Sequence, residues 1–238
     1  MIISFVNQKG GVGKTTSAIN VAASLNRKNY KVGFIDADPQ GSATRWHAVE
    51  DNNAFEIMHH PKPLVREDIQ ELSQNYDYLV IDAPPAIGSI TKSILAVTDL
   101  SIIPLSPSSL DFWSCKGTLK MVDEAREENP ELDVKILINR RIPGTRIGRQ
   151  ARDWLAAFNM DILDSELCQR VAFIDAMTAG VSVMQFAPGS KAANEVENLC
   201  DEITLQKAEK DYQIEEPRIQ EADQYIQPSD VPGEKPFF

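Results

Sequence analysis

A glycine-rich stretch near the start of the sequence carries the residue types that bind a polyphosphate. It reads Gln8-Lys9-Gly10-Gly11-Val12-Gly13-Lys14-Thr15-Thr16 and lies between an apolar run and a helical pattern of apolar residues. Glycines let the backbone direct successive N–H groups at one anion, and the following helix adds its own unpaired N–H groups. Lys14 can contact phosphate oxygens, and the Thr15 hydroxyl can contact Mg²⁺. We therefore predict a phosphate-binding loop.

This loop departs from the general phosphate-loop pattern at two positions. Gln8 stands where that pattern has a glycine, and a second lysine, Lys9, stands five residues before Lys14. Two neighbouring lysines repel each other unless an anion lies between them. Lys9 is therefore either a solvated lysine at the mouth of the loop or a second cation for a triphosphate.

Carboxylates follow two further apolar runs. Val32-Gly33-Phe34-Ile35 leads into Asp36 and Asp38, and Leu79-Val80-Ile81 leads into Asp82. The carboxyl ends of buried parallel strands are where α/β sheets place ligand chemistry. Asp82 is suited to hold Mg²⁺ through water. Asp36 and Asp38 either take part in this chemistry or form a turn before the proline that follows them.

The stretch from Lys9 to Thr16 resembles the deviant Walker A motif of the ParA/MinD family of ATPases, closest to its short partition and positioning members. Residues 36–41 and 78–85 resemble two further motifs of that family. The resemblance implies ATP and Mg²⁺ as cofactors and a homodimer in the ATP state, in which Lys9 reaches the ATP of the other protomer. The implied catalytic residues are Lys9, Lys14 and Asp38, and the implied metal site comprises Thr15, Asp36 and Asp82.

The same resemblance implies two contacts with the adenine base. In the family, a residue at the end of the strand predicted at 134–140 contacts adenine, and Asn139 has a suitable amide. An asparagine that merely caps the strand is the alternative. Pro188 lies in a loop that in the family closes over the base. The implied nucleotide contacts are Lys9, Gly10, Gly11, Val12, Gly13, Lys14, Thr15, Thr16, Asn139 and Pro188.

A basic segment follows the predicted strand. Its thirteen residues contain no acid and five arginines, Arg140, Arg141, Arg146, Arg149 and Arg152. A helix that begins near position 145 would place the last three on one side. Such a run is either a solvated face or a site for DNA phosphates, to which arginine can donate two hydrogen bonds at once. No aromatic residue interrupts the run, so we expect nonspecific contact with duplex DNA. Arg170 is a further candidate for DNA or dimer contact.

The composition indicates one globular α/β domain followed by a tail. The chain has 238 residues and a net charge of −11, and residues 206–238 hold eight acids and four bases. We predict a single doubly wound, mostly parallel sheet flanked by helices, of the P-loop NTPase type, over residues 1–205. Residues 206–238 are expected to form an acidic, poorly ordered tail. Residues 42–63 are predicted to be irregular, with a histidine pair on a surface loop.

The residues and the resemblance together imply an ATPase that hydrolyses ATP, dimerises on ATP and binds nucleoid DNA nonspecifically. It would distribute a plasmid, a chromosome or a protein organelle such as the carboxysome, with a ParB-like or equivalent adaptor that stimulates hydrolysis. We expect it to be cytoplasmic and nucleoid-associated. A MinD-like membrane ATPase is the alternative, but the tail has no basic amphipathic helix. An iron–sulfur carrier would need paired cysteines, which the three distant cysteines do not supply.

Overall fold

The computed structural model describes residues 1–49, 55–86, 88–156 and 161–224. Within these ranges the strands are β1 (Ile2–Phe5), β2 (Val32–Asp36), β3 (Glu56–His59), β4 (Tyr78–Asp82), β5 (Leu100–Leu105), β6 (Asp133–Ile138) and β7 (Asp161–Ile162). The helices are α1 (Lys14–Arg27), α2 (Ser42–His47), α3 (Arg66–Ser73), α4 (Ser89–Val97), α5 (Ser109–Arg126), α6 (Arg146–Ala156), α7 (Val171–Thr178), α8 (Val183–Phe186) and α9 (Lys191–Gln224).

The strands form one parallel sheet in the order β3-β2-β4-β1-β5-β6-β7. Every pairing in it is parallel. Strands β1, β2, β4 and β5 are buried along their whole length, as expected of apolar runs covered by helices on both faces. The doubly wound, parallel α/β fold predicted from the sequence is confirmed.

The strand order places the switch in chain direction next to β1. From β1 the chain passes to β2 and then to the edge strand β3, and it returns to β4, which lies between β2 and β1. It then crosses to the other side of β1 and adds β5, β6 and β7 in turn. Ligands of open α/β sheets bind at the carboxyl ends of the strands beside such a switch. The glycine-rich stretch leaves β1 at this edge, and Asp36 and Asp82 are register partners there.

The prediction of an irregular segment at residues 42–63 is wrong. Six of these residues form α2, and four form the edge strand β3, which pairs with β2. Both elements are short, and β3 is only partly buried, so neither has a long apolar pattern. The ring of Trp46 is buried and stacks on Phe55 with centroids 6.2 Å apart, which packs α2 against the start of β3.

Helix α9 runs from Lys191 to Gln224, so residues 206–224 of the predicted tail are helical. Glutamate, lysine and glutamine are good helix formers, and this explains a helix without a long apolar stripe. By contacts the chain divides into two units after Glu202. The predicted boundary at residue 205 stays a prediction, and residues 225–238 lie outside the described residues. Among the helices that the structure describes, none is long and apolar enough to cross a membrane.

Gly33 in β2 provides a test of this packing. A Cβ added at Gly33 would lie 2.8 Å from a ring carbon of Tyr76, whose hydroxyl donates to Glu56. We expect Gly33→Ala to lower the free energy of unfolding by about 1–3 kcal/mol, the usual cost of overpacking. Urea denaturation measures this change. Gly88→Ala is the control, because a Cβ there meets nothing within 4 Å; equal stability of the two variants would contradict the prediction.

Candidate functional site

The glycine-rich stretch forms a tight loop between β1 and α1. Gly11 and Gly13 have φ of 75° and 91°, the left-handed region that L side chains rarely adopt. The carbonyl of Gly13 accepts from the Ser17 N–H at 2.9 Å, so the helix begins immediately after the loop. No side chain caps the start of α1. This start is therefore an anion-binding geometry of backbone N–H groups and helix dipole.

Neighbouring elements hold both ends of the loop. On the β1 side, Asn7 donates to the carbonyl of Pro104 at 2.7 Å and accepts from the Lys9 N–H at 2.9 Å. The Gln8 N–H donates to the Thr118 hydroxyl at 3.2 Å. On the other side, the buried Asn139 follows β6 and donates to the carbonyl of Val12 at 2.7 Å. The sequence singled out Asn139 as a contact with adenine, and the structure places its amide against the loop backbone.

Asp82 and Thr15 meet beneath the loop. The Thr15 hydroxyl donates to Oδ2 of Asp82 at 2.6 Å, whereas Oδ1 is buried without a hydrogen-bond partner. Burial raises the pKa of the Asp82 carboxyl to about 7, although Thr15 and Lys14 oppose this effect. Burial likewise lowers the pKa of Lys14, against the attraction of Asp82 and Asp38. Among the described residues, no hydrogen-bond donor contacts Oδ1 of Asp82, so a bound cation could stabilise the ionised carboxylate.

The two other aspartates differ in how they are engaged. Asp36 accepts at Oδ2 from the Thr44 N–H and hydroxyl, both at 2.8 Å, and at Oδ1 from the Asp38 N–H at 3.3 Å. Its predicted metal role stays a prediction, and these contacts give it a structural task, which is to attach α2 to the sheet. Asp38 accepts from the Gln40 N–H at 2.9 Å and faces the same cavity as Lys14 and Thr15.

Sequence reasoning missed one residue beside Asp38. His59, assigned there to a surface loop, ends β3, and its Nε2 lies 3.2 Å from the Asp38 carbonyl. Only the pairing of β3 with β2 brings this ring to the site, and Asp36 is the register partner of His59.

A cavity of about 640 Å³ joins these parts. The phosphate loop and Asp38 line it together with a second wall that comes from α7 and the segment before it. The lining residues of this wall that sequence reasoning did not assign include Leu167, Gln169, Phe173, Ile174, Met177 and Thr178. Apolar residue types carry no chemical signature, so only the fold could identify them. Pro188 is exposed and does not line the cavity; its predicted contact with the base stays a prediction.

Lys9 lies at the mouth of the loop, where its ammonium pairs with the carboxylate of Asp111. Asp111 is buried in the first turn of α5, and 38% of the Lys9 side chain is exposed. The sequence left two alternatives for Lys9, a solvated lysine or a second cation for a triphosphate, and neither includes this ion pair. Within the single chain, a buried carboxylate supplies the counter-charge that a second lysine requires.

The arginines of the basic segment do not share one face. Arg141 and Arg152 both pair with Glu166, and Arg152 also donates to the carbonyls of Leu163 and Asp164. Arg170 pairs with Glu195 at 2.5 Å. These three guanidiniums therefore serve contacts within the domain, although their predicted DNA role is not otherwise tested.

The other three arginines have no acidic partner among the described contacts. Arg146 and Arg149 are exposed on α6, which begins one residue after the predicted start near Thr145; Arg149 donates to the carbonyl of Gly144 at 2.8 Å. Arg140 donates to the carbonyl of Gly11 at 2.7 Å and lines the cavity. Arg140 thus belongs to the phosphate loop by position, away from the exposed face of α6.

Comparison with known proteins agrees with this geometry. Residues 3–183 match the family model described as the CobQ/CobB/MinD/ParA nucleotide binding domain. The chain is 30% identical over 208 residues to the "Maintenance of carboxysome distribution protein A" of Halothiobacillus neapolitanus, covering 84% of this chain and 95% of that protein. It is 28% identical over 236 residues to the "Chromosome-partitioning ATPase Soj" of Thermus thermophilus, covering 84% and 94%.

A solved structure shows the same fold. The plasmid partition protein of Borrelia burgdorferi, bound to AMPPNP, superposes with a TM-score of 0.68 at 24% identity, covering 87% of this chain and 98% of that one. The resemblance carried by Lys9–Thr16 and the two aspartate motifs is thereby confirmed. The chain belongs to the CobQ/CobB/MinD/ParA family of nucleotide-binding domains.

Proposed function

We propose that this chain is an ATPase that binds ATP with Mg²⁺, hydrolyses it to ADP and phosphate, and uses this cycle to distribute a cargo. One observation carries the proposal. Lys14, Thr15 and Asp38 line one cavity at the carboxyl edge of the sheet, and the buried Asp82 accepts a hydrogen bond from the Thr15 hydroxyl. Phosphoryl transfer depends on positioned cations, a metal ion and a positioned water, and it needs little covalent chemistry from the protein. These residues can supply a cation and can hold the metal ion and the water.

The residues under the loop fit a divalent cation. Oδ1 of Asp82 is buried without a partner, and the neighbouring Thr15 hydroxyl is a hard oxygen donor of the kind that Mg²⁺ prefers. Thr15 and Asp82 would hold the ion, which when bound neutralises charge on the phosphates. The three protein donors that Asp36 already accepts from make it the weaker candidate of the three predicted ligands.

The remaining residues receive roles from their positions. Lys14 and the loop N–H groups bind the phosphates, and Asp38 orients the attacking water. Phe173, Ile174 and Met177 give the cavity an apolar wall suited to a nucleoside base. Lys9 would exchange Asp111 for the ATP of a second protomer, which is how an ATP-dependent homodimer would form from this chain.

The cargo role follows from the relatives. Proteins named for carboxysome distribution, chromosome partitioning and plasmid partition all align over more than four-fifths of this chain. We propose that the ATP-bound dimer binds nucleoid DNA through Arg146 and Arg149, and that an adaptor on the cargo, ParB-like or equivalent, stimulates hydrolysis. The site on α6 is thus narrower than the six arginines expected from the sequence, because three of the other four pair with glutamates and Arg140 donates to the phosphate loop.

Lys14→Ala tests the nucleotide site. The variant removes a buried ammonium from the phosphate cavity, and we expect it to lose detectable binding of Mg²⁺·ATP by calorimetry. Arg126→Ala is the control, because it removes one exposed cation from the far end of α5. A Lys14→Ala protein that binds ATP with near wild-type affinity would overturn the assignment of this lysine.

The DNA role predicts a nucleotide-gated and salt-dependent affinity. We expect a random-sequence duplex to bind in the presence of ATP, and not with ADP or without nucleotide, with log K falling linearly as log[salt] rises. The Arg146→Ala/Arg149→Ala double variant should have a shallower slope, by about 0.9 for every phosphate that it no longer neutralises. Fluorescence anisotropy across a salt series measures it.

The matched control for the DNA experiment removes two exposed arginines elsewhere, in Arg27→Ala/Arg126→Ala. We expect its salt slope to equal that of the wild type. A slope that changes in this control and not in the α6 variant would place the DNA contact on another face. An absence of DNA binding in every nucleotide state would retain the ATPase and refute the nucleoid role.

The Asp82 carboxyl predicts a pH dependence of the nucleotide-free, metal-free protein. Its pKa is about 7 in the folded state, raised by burial from an ordinary value of 3.8. Between these two pH values the folded state binds a proton that the unfolded state has lost, so stability falls as the pH rises from about 4 to about 7. At about 1.4 kcal/mol per pH unit, the contribution reaches about 4 kcal/mol at most.

Urea denaturation of wild type and Asp82→Asn between pH 4.5 and 7.5 isolates this contribution. Asparagine does not ionise, so the stability of wild type minus that of Asp82→Asn should decrease as pH rises. A difference that stays constant with pH would show that the carboxyl ionises at its ordinary pKa.

A further inference from the structure

We propose that Asn139 and Arg140 form a clamp that holds the phosphate loop in its anion-binding conformation. They are positioning residues that act through the loop backbone. This assignment rests on the proposed function, since it concerns how the phosphate chain of the nucleotide is bound.

The clamp consists of two adjacent residues that hold two adjacent carbonyls. Nδ2 of Asn139 donates to the Val12 carbonyl at 2.7 Å, and a terminal guanidinium nitrogen of Arg140 donates to the Gly11 carbonyl at 2.7 Å. Both donors directly follow the last residue of β6, Ile138; Asn139 is buried and Arg140 is exposed. The loop is thereby attached to a strand on the far side of β5 from the strand that leads into it.

The two contacts also fix the direction of the N–H groups in the loop. In a trans peptide the C=O and the N–H of the next residue point in opposite directions. Because the carbonyls of Gly11 and Val12 point at the clamp, the N–H groups of Val12 and Gly13 point away from it. Successive N–H groups held parallel in this way make an anion site, and a loop fixed beforehand loses less entropy on binding.

The backbone N–H of the next residue, Arg140, fixes the orientation of the Asn139 amide. Its Oδ1 accepts from the Arg140 N–H at 2.8 Å, so its NH₂ group must face the loop, where Ser17 lies 3.4 Å away. With these contacts the amide directs its NH₂ group at the loop. Asn139 also lines the cavity, so its predicted contact with adenine stays a prediction.

Two backbone features show that the contact is specific. A Cβ added at Gly13 would lie 2.4 Å from Nδ2 of Asn139, so the amide approaches the loop as closely as glycine allows. Arg140 has φ of 53°, an uncommon left-handed conformation for a residue other than glycine. The contacts on both sides of its backbone hold it there, and they direct its guanidinium at the loop and away from α6.

The experiment compares two probes, Mg²⁺·ATP and inorganic tripolyphosphate with Mg²⁺, which has the phosphates and lacks the base. Calorimetry gives both affinities for wild type, Asn139→Ala, Asn139→Asp and Arg140→Ala. We expect Arg140→Ala to weaken both probes by the same factor, about five- to tenfold for the removal of one hydrogen bond, and Asn139→Ala to weaken tripolyphosphate by a similar factor. Asn139→Asp should weaken both further, because a carboxylate cannot donate and repels the phosphates.

The matched controls are Asn194→Ala and Arg126→Ala, which remove the same side chains from exposed positions. Both should bind the two probes as the wild type does. Arg140 is itself exposed, so Arg140→Ala tests the clamp even if the variants at the buried Asn139 fail to fold.

A further variant separates the guanidinium from the backbone. Arg140→Gly accepts the left-handed conformation without strain and lacks the donor, and we expect it to lose as much affinity as Arg140→Ala. Wild-type affinity in Arg140→Gly would refute the role of the guanidinium.

Four other outcomes would overturn the proposal. A loss confined to ATP, with tripolyphosphate unaffected, would assign Asn139 to the base. Unchanged affinity for both probes in Arg140→Ala, with weaker DNA binding at saturating ATP, would return Arg140 to the DNA site. Wild-type protein that binds neither probe would refute the proposed function and the clamp with it, whereas tight wild-type binding with unaffected variants refutes the clamp alone.

Discussion

Two carboxylates buried side by side at the carboxyl edge of the sheet are the constraint on which this site depends. Asp36 and Asp82 end neighbouring parallel strands and are register partners, and both are fully buried. A buried carboxylate must accept hydrogen bonds or remain protonated. Among the residues that the structure describes, Asp36 accepts from three donors, whereas Asp82 accepts from the Thr15 hydroxyl alone.

The hydrogen bonds to Asp36 and Asp82 also position the elements around them. The donors to Asp36 come from Thr44 in α2 and from Asp38, so the same interaction that solvates one carboxylate positions the next. His59, at the end of β3, supports Asp38 from the other side. The oxygen of Asp82 that remains without a partner lies beneath the loop, where a ligand can compensate it. Stability and ligand binding are thus assigned to different carboxylates.

The sequence predicted the parts of the site whose residue types are chemically distinctive and local. The loop around Lys14, the strand that ends at Asp82 and the parallel sheet all follow from patterns within about ten residues. The sequence could not show where side chains find partners far along the chain. Asn139 contacts Val12 across 127 positions, and no local pattern indicates this contact.

In the basic segment, too, the sequence does not show which distant residues pair with the arginines. Thirteen residues without an acid indicate an unpaired cationic surface, yet Glu166 and Glu195 pair with three of the arginines counted for DNA. Both glutamates lie outside the segment, and only the fold brings them to it. The short edge strand β3 and the apolar wall from α7 were missed for a related reason, since neither has a periodic pattern or a reactive side chain.

The position of β1 in the sheet has a consequence for how the protein matures on the ribosome. This first strand is central, and its neighbours are made much later, because Ile2 pairs with Leu79 and Ile3 with Leu100. The contact of Asn139 with the loop comes later still. Chains emerge from the N-terminus, and contacts between distant segments are slow to form. The loop that follows β1 is therefore synthesised before the residues that hold it, and the site is complete only once the chain has passed Asn139.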